Sequence, residues 1–287
     1  MEKDPLTPST NSCKISLQKV SLTTKYFNFM FITVMLLLQC LVFAEDVKSG
    51  DNNEKMVPDV KEITAFELTA AMDINSAYVW RGLTVNDGLV VQPWIDLSGV
   101  RVGKVPLSFN IWSNYDIGDF GGTLRKNRFS EVDFTLSAEL GYGFIMGYSR
   151  YMYITGDHSS IPDTGELFIG WSTETDILTP SLTLYYDSDE VKGAFLQGAI
   201  SRTFTISERN SVNIVCEVGL ADDHFADYYS ATKEGFYHYN LMAKLSSQIT
   251  EKIELKVLAG YTNHFDRTVL PAQKTDLYAG LGISYTF

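Results

Sequence analysis

From about residue 63 to its last residue the chain alternates apolar and polar positions with a period of two, segment after segment, which is the mark of strands with two unlike faces. The final segment shows it best. Leu277, Ala279, Leu281, Ile283, Tyr285 and Phe287 share one face, and Tyr278, Gly280, Gly282, Ser284 and Thr286 share the other. Upstream, Ile253, Leu255, Val257, Ala259 and Tyr261 oppose Glu254, Lys256 and Thr262, while Tyr237, Tyr239, Leu241, Ala243 and Leu245 oppose His238, Asn240 and Lys244. The pattern recurs in Val212–Leu220, Val132–Leu140, Leu107–Asn114, Val91–Ser98 and Phe66–Asp73. Weaker segments fall near 143–153, 164–175, 180–187 and 191–203, and Arg150 suits neither face of the first of these. The count is twelve strands.

Two architectures alternate in this way. In a soluble sandwich the apolar faces meet in a dry core; in a membrane barrel they face lipid. Three features together favour the membrane barrel. Short ones near 99–104, 141–143, 176–179, 204–210 and 248–251 interleave with long polar ones near 74–88, 115–128, 154–163, 221–235 and 264–275, and a shorter one lies at 188–191. Short periplasmic turns and longer outer loops are the habit of outer-membrane barrels. An even strand count puts both ends on the short-turn side, and the chain ends on Phe287 with Tyr285 and Ile283 on its face. That tail is similar to the signal by which barrel-assembly machinery receives its substrates. The expected fold is all-β, a transmembrane antiparallel up-and-down barrel over 63–287. Its outward faces predict outer-membrane lipid as a partner, with Tyr237, Tyr239, Tyr261, Tyr285 and Phe287 as girdle residues at the interfaces.

The first 44 residues belong to delivery. Lys14, Lys19 and Lys25 precede an apolar run from Tyr26 to Phe43 that ends Val42-Phe43-Ala44 before Glu45, the plan of a secretory signal. Residues 45–62 then form a flexible lead-in. The alternative is an uncleaved anchor helix, because the run approaches a bilayer span. Cleavage after Ala44 leaves 19 basic and 33 acidic residues, a net charge of −14, which speaks against nucleic acid as a partner. It also leaves one cysteine, Cys216, on an apolar face, which reads as a small hydrophobe. The expected home is the outer membrane of a Gram-negative bacterium.

The inner faces carry the functional expectation. Glu67, Asp73, Asp96, Asp133, Glu139, Glu166, Glu174, Asp187, Glu217 and Glu254 are countered on well-defined strands only by Lys244 and Lys256. Twelve strands lie between the eight whose interior fills and the sixteen of open porins. A narrow, acidic lumen favours cations. The leading expectation is a passive, porin-like transport channel for small cationic or neutral solutes. The alternative is a non-conducting surface or adhesion barrel working through its outer loops, the stretch 222–234 above all. In that case basic loop residues such as Arg81, Arg125, Lys126 and Arg128 pair with the acids, and loops folded into the lumen are its sign.

Enzymatic chemistry is weakly signalled, and no enzyme, cofactor or metal is expected. The chain has no Gly-x-Ser-x-Gly, no His-Glu-x-x-His and no phosphate-cradling glycine loop. His158, His224 and His264 fall in outer loops. His238 and Asn240 are similar to the His and Asn of the twelve-stranded outer-membrane phospholipases, which gives a lipid-modifying enzyme as a third reading. That family has its nucleophilic serine two after the histidine, where this chain has Asn240, and its catalytic face points to lipid, whereas His238 falls on the lumen face.

The stretch Tyr78-Val79-Trp80-Arg81-Gly82, with Asp87-Gly88 and then the strand from Val91, resembles the opening of an uncharacterised bacterial outer-membrane barrel family abbreviated Gcw_chp. The similarity spans about a tenth of the chain. It implies a barrel and porin-like transport without naming a solute. From the residues alone the motif reads as a folded outer loop in which Gly82 and Gly88 permit tight turns. Arg81 either braces that loop, the reading preferred here, or reaches inward to lumen carboxylates.

Overall fold

The computed structural model describes residues 66–118, 127–154, 162–229, 231, 233–265 and 276–287. The signal, the lead-in, Arg125, Lys126 and His158 lie outside the described residues. Fourteen strands follow in order: β1 (Glu67–Asn75), β2 (Tyr78–Trp80), β3 (Leu83–Asn86), β4 (Val90–Val102), β5 (Val105–Asp116), β6 (Arg128–Gly141), β7 (Phe144–Tyr153), β8 (Thr164–Ser172), β9 (Thr179–Asp187), β10 (Ala194–Ser207), β11 (Asn210–Ala221), β12 (Gly235–Gln248), β13 (Ile253–Asn263) and β14 (Leu277–Thr286). Among the described residues one short helix, α1 (Asp223–Tyr228), lies between β11 and β12. Twelve strands close a barrel in chain order, with β1 pairing both β4 and β14, and β2–β3 form a separate two-stranded sheet. Every barrel pairing is antiparallel, so apart from local register shifts the wall's backbone groups are paired from strand to strand, as hydrocarbon demands. Phe287 N–H donates to Leu68 O at 3.0 Å beside the seam.

The alternation sorts as the sequence pattern requires. Large apolar side chains exposed on the outside include Met72, Ile74, Leu136, Leu167, Ile169, Leu182, Leu184, Leu241, Val257, Leu281 and Ile283. A soluble protein would hide these; a closed barrel that turns them outward has lipid around it. The chain is an outer-membrane β-barrel. Cys216 is free and exposed on that outward face. Tyr285 packs on Phe287 at the end holding the termini, and Tyr239 on Tyr261 at the other, which places aromatic pairs at both interfaces.

Three side chains depart from the sequence pattern. Tyr237 sits at a register shift between β11 and β12, where Gly219 faces His238 but Leu220 faces Phe236. The extra residue at this bulge turns inward and is fully buried, so Tyr237 is not a girdle residue. Arg150 lies on the outward face of β7 and pairs with Asp189 of the β9–β10 loop at 2.6 Å. Glu174 falls in the turn between β8 and β9 rather than on a strand face.

Candidate functional site

The β1–β4 connection folds into the barrel. Trp80 and Leu83 face each other across the two-residue turn Arg81–Gly82, whose φ angles are 45° and 77°. Positive φ at both central residues marks the type I′ turn, whose twist suits a tight hairpin. Glycine adopts this conformation freely, but Arg81 does so at a cost of about 1–2 kcal/mol. Its side chain shows what offsets that cost. Arg81 Nη1 and Nη2 each donate at 2.7 Å to one oxygen of Glu166, on the inner face of β8. The guanidinium also lies 4.5, 4.1 and 4.8 Å from the ring centres of Trp80, Tyr185 and Phe195. Burial presses against the Arg81 charge, but the Glu166 carboxylate outweighs it and holds the guanidinium above its ordinary range. Arg81 therefore reaches a lumen carboxylate, contrary to the reading that it only braces the loop.

The rest of the hairpin is anchored on β5 and β12. Tyr78 is buried against Trp112 of β5, with ring centres 5.3 Å apart. Asn86 Nδ2 donates to Asp116 Oδ1 at 2.6 Å, at one end of an amide chain running from Asn75 through Gln92 and Asn114. At the tip Gly82 lies against His238 of β12, so closely that a Cβ there would overlap its side chain. The Gly82 carbonyl also accepts from His264 Nε2 at 3.2 Å. Helix α1 closes one flank. Asp222 caps it by accepting from Phe225 N–H, and Phe225 packs with Trp80, Phe195, Tyr229 and Tyr237 in an aromatic core. Part of the 222–234 stretch expected on the surface thus faces inward.

Below the hairpin the lumen is hollow. A chamber of about 710 Å³ is touched by inward side chains from all twelve wall strands, with hairpin residues Ala77 to Gly82 as its roof. A second space of about 480 Å³, bounded by Thr69, Asp73, Trp94, Asp96, Asn110 and Trp112, adjoins it at Trp112.

Strand register puts Glu67, Asp73, Asp96, Asp133, Glu139, Glu166, Asp187, Glu217, Lys244, Glu254 and Lys256 on inner faces, but their surroundings differ. Glu166 is spent on Arg81. Asp187 accepts from Thr164 Oγ1 and from the Asp189 and Val191 amides, so its carboxylate holds the β9–β10 turn instead of facing open lumen. Glu217 takes His238 Nε2 at 3.1 Å and Gln197 Nε2 at 2.7 Å. Glu254 pairs with Lys256 at 3.1 Å, and Asp73 accepts from Trp94 Nε1. Asp96 accepts from Asn110, and Glu67 and Glu139 are exposed at the end holding the termini. Asn75, Gln92 and Asn114 were missed as site residues because neutral amides carry no charge signal. His238 is fully buried and lumen-facing, away from lipid, which gives the phospholipase-like reading no support.

No family model matches the chain, and no curated protein does, so the likeness to Gcw_chp is confined to the motif that carries it. Similar solved structures are porin-like outer-membrane barrels. The KdgM porin, in complex with disordered oligogalacturonate, is 13% identical over 77% of this chain and 99% of its own, with a TM-score of 0.43. An outer-membrane channel of Pseudomonas putida F1 is 11% identical over 82% of this chain and 100% of its own, at 0.46. The NanC porin is 12% identical over 77% of this chain and 99% of its own, at 0.42. The fold assignment rests on the barrel itself.

Proposed function

We propose that the protein is a narrow passive channel for small cationic or neutral solutes, constricted at its outer end by the β2–β3 hairpin. One observation carries this: the chamber touched by every wall strand, which means that the middle of the barrel is hollow. Cation preference follows from Asp73 and Asp96 beside the lower space and from Glu67 and Glu139 at the mouth, with only Lys244 and Lys256 opposing them among the inner-face residues expected from the sequence. Barrel-assembly machinery reading the segment that ends at Phe287 belongs to the same proposal. The rival, a non-conducting barrel acting through its outer loops, draws support from the hairpin's buried ion pair with β8 and its anchor on β5.

Planar-bilayer recording separates the two. Wild type is expected to show small cation-selective steps, and these should grow when residues 76–89 are replaced by a short Gly-Ser link. Silence from both proteins, or anion selectivity, overturns the proposal. Silence from wild type with conduction by the hairpin-less variant makes the resting protein the rival's closed barrel.

A further inference from the structure

We infer that the chamber beneath the hairpin is a binding site for an uncharged, ring-shaped, polyhydroxylated solute, a sugar unit in chemical terms. This rests on the reading above that the lumen is accessible to solutes. The chamber, about 710 Å³, falls within the roughly 300–1,000 Å³ usual for small-molecule sites. Its wall presents the aromatic side chains of Trp112, Tyr151, Tyr185 and Tyr278, with polar Gln197, Glu217 and Asn240 between them. Aromatic rings carry a negative face and so attract the polarised C–H groups on the flat side of a pyranose. The polar groups form a connected row. Gln197 donates through Nε2 to Glu217, which faces Asn240 directly across the β11–β12 pairing, and Asn240 accepts through Oδ1 from Tyr278 at 3.0 Å. This leaves the Gln197 amide oxygen as an acceptor and the Asn240 amide NH₂ as a donor, on either side of a carboxylate with lone pairs to spare. Acceptors and a donor side by side suit neighbouring hydroxyl groups, each of which both gives and takes a hydrogen bond.

Charge narrows the class. The cation that lines the chamber, Arg81, has both of its terminal nitrogens committed to Glu166. An anionic sugar would therefore meet the Glu217 carboxylate without a free guanidinium to balance it. A small cation would find Glu217 already holding Gln197 and His238. A neutral ring solute meets neither difficulty.

The test uses the full chain in detergent micelles, with its own tryptophans as reporters, since Trp80 and Trp112 line the chamber. Maltose should give a saturable fluorescence change in the millimolar range, and glucuronate and choline should not. Gln197→Leu leaves all four tryptophans in place and should weaken maltose binding about tenfold, as should Trp112→Ala read by calorimetry. Heat-modifiable gel mobility checks that each variant still forms a barrel. If bilayers show cation conductance but maltose does not saturate, or glucuronate or choline binds as well, the inference falls and the channel reading stands. If maltose binds in a protein that conducts nothing and Gln197→Leu abolishes the binding, the inference stands and the channel reading falls. Unchanged binding in both variants overturns the site.

Discussion

Arg81 and Glu166 meet inside the barrel as a two-pronged ion pair, 85 positions apart in sequence, with side chains only 6% and 4% exposed. Such a pair pays for the desolvation of both charges with its geometry, and it punishes the loss of either partner. Arg81→Ala leaves the Glu166 carboxylate buried without its counter-charge, with the Tyr151 hydroxyl at 3.1 Å still donating to it, which should cost about 3–5 kcal/mol. The loss should fall on the hairpin more than on the wall, whose strand pairing is untouched. The double variant Arg81→Met, Glu166→Leu should recover most of that loss, since two apolar side chains among these aromatics need no partner. Thermal unfolding followed by gel mobility, run as a double-mutant cycle, checks both statements. A double variant no more stable than Arg81→Ala counts against the assignment.

The turn that presents Arg81 sets a second condition. At Gly82 the backbone takes φ +77° and its Cα rests on His238, so a methyl group meets both strain and overlap. Gly82→Ala should destabilise the hairpin by about 1–3 kcal/mol and expose residues 78–86 to hydrogen exchange. Exchange on the ends of β13 and β14 nearest the termini, where Ile253–Val257 pairs with Leu281–Tyr285, should stay as in wild type. Uniform loss of protection would mean that the substitution acts on the whole barrel.

The barrel was legible in the sequence because one rule governs every wall strand: oily side chains face lipid and wet ones the axis, with period two. Leu277 to Phe287 needs nothing else. The hairpin was not legible, because loop length alone says nothing about which way a loop folds. Its signal was present all the same. Tyr78, Val79, Trp80, Leu83 and Val85 are too apolar for a loop in water, and the Arg81–Gly82 step between them is a turn. Tyr237 was misplaced because a bulge adds one residue and so inverts every face on one side of it. Asp187 and Glu166 were legible as inner-face acids but not as spent ones, since their partners lie far away in sequence.

The lipid-facing register makes a sharp prediction on β9, where Leu184 points out and Thr183 lines the chamber. Arginine at mid-membrane on the lipid face costs about 2–4 kcal/mol, while the same charge in the lumen remains in contact with water. Leu184→Arg should therefore lower the yield of folded barrel in vesicles, and Thr183→Arg should fold and shift ion selectivity toward anions. Equal damage from both would contradict the placement of these faces.

His264 gives the hairpin a dependence on acidity. It lies in the β13–β14 connection, mostly buried, with Nε2 on the Gly82 carbonyl. Burial lowers its pKa below 6.5; the hydrogen bond to Gly82 and the charge of Asp276 raise it, and nearby His238 lowers it further. When the loop opens, His264 regains its ordinary affinity for protons, so the opened form binds more protons than the closed one near that value. The contact is at full strength above about pH 6.5 and weakens as acidity rises from there toward the lowered pKa. Protection factors of the Gly82 to Asn86 amides should thus fall between about pH 7.5 and 5.5. His264→Gln, which keeps a donor near Gly82 O but cannot titrate, should flatten the dependence. A fall of equal size in that variant would trace the effect to other groups.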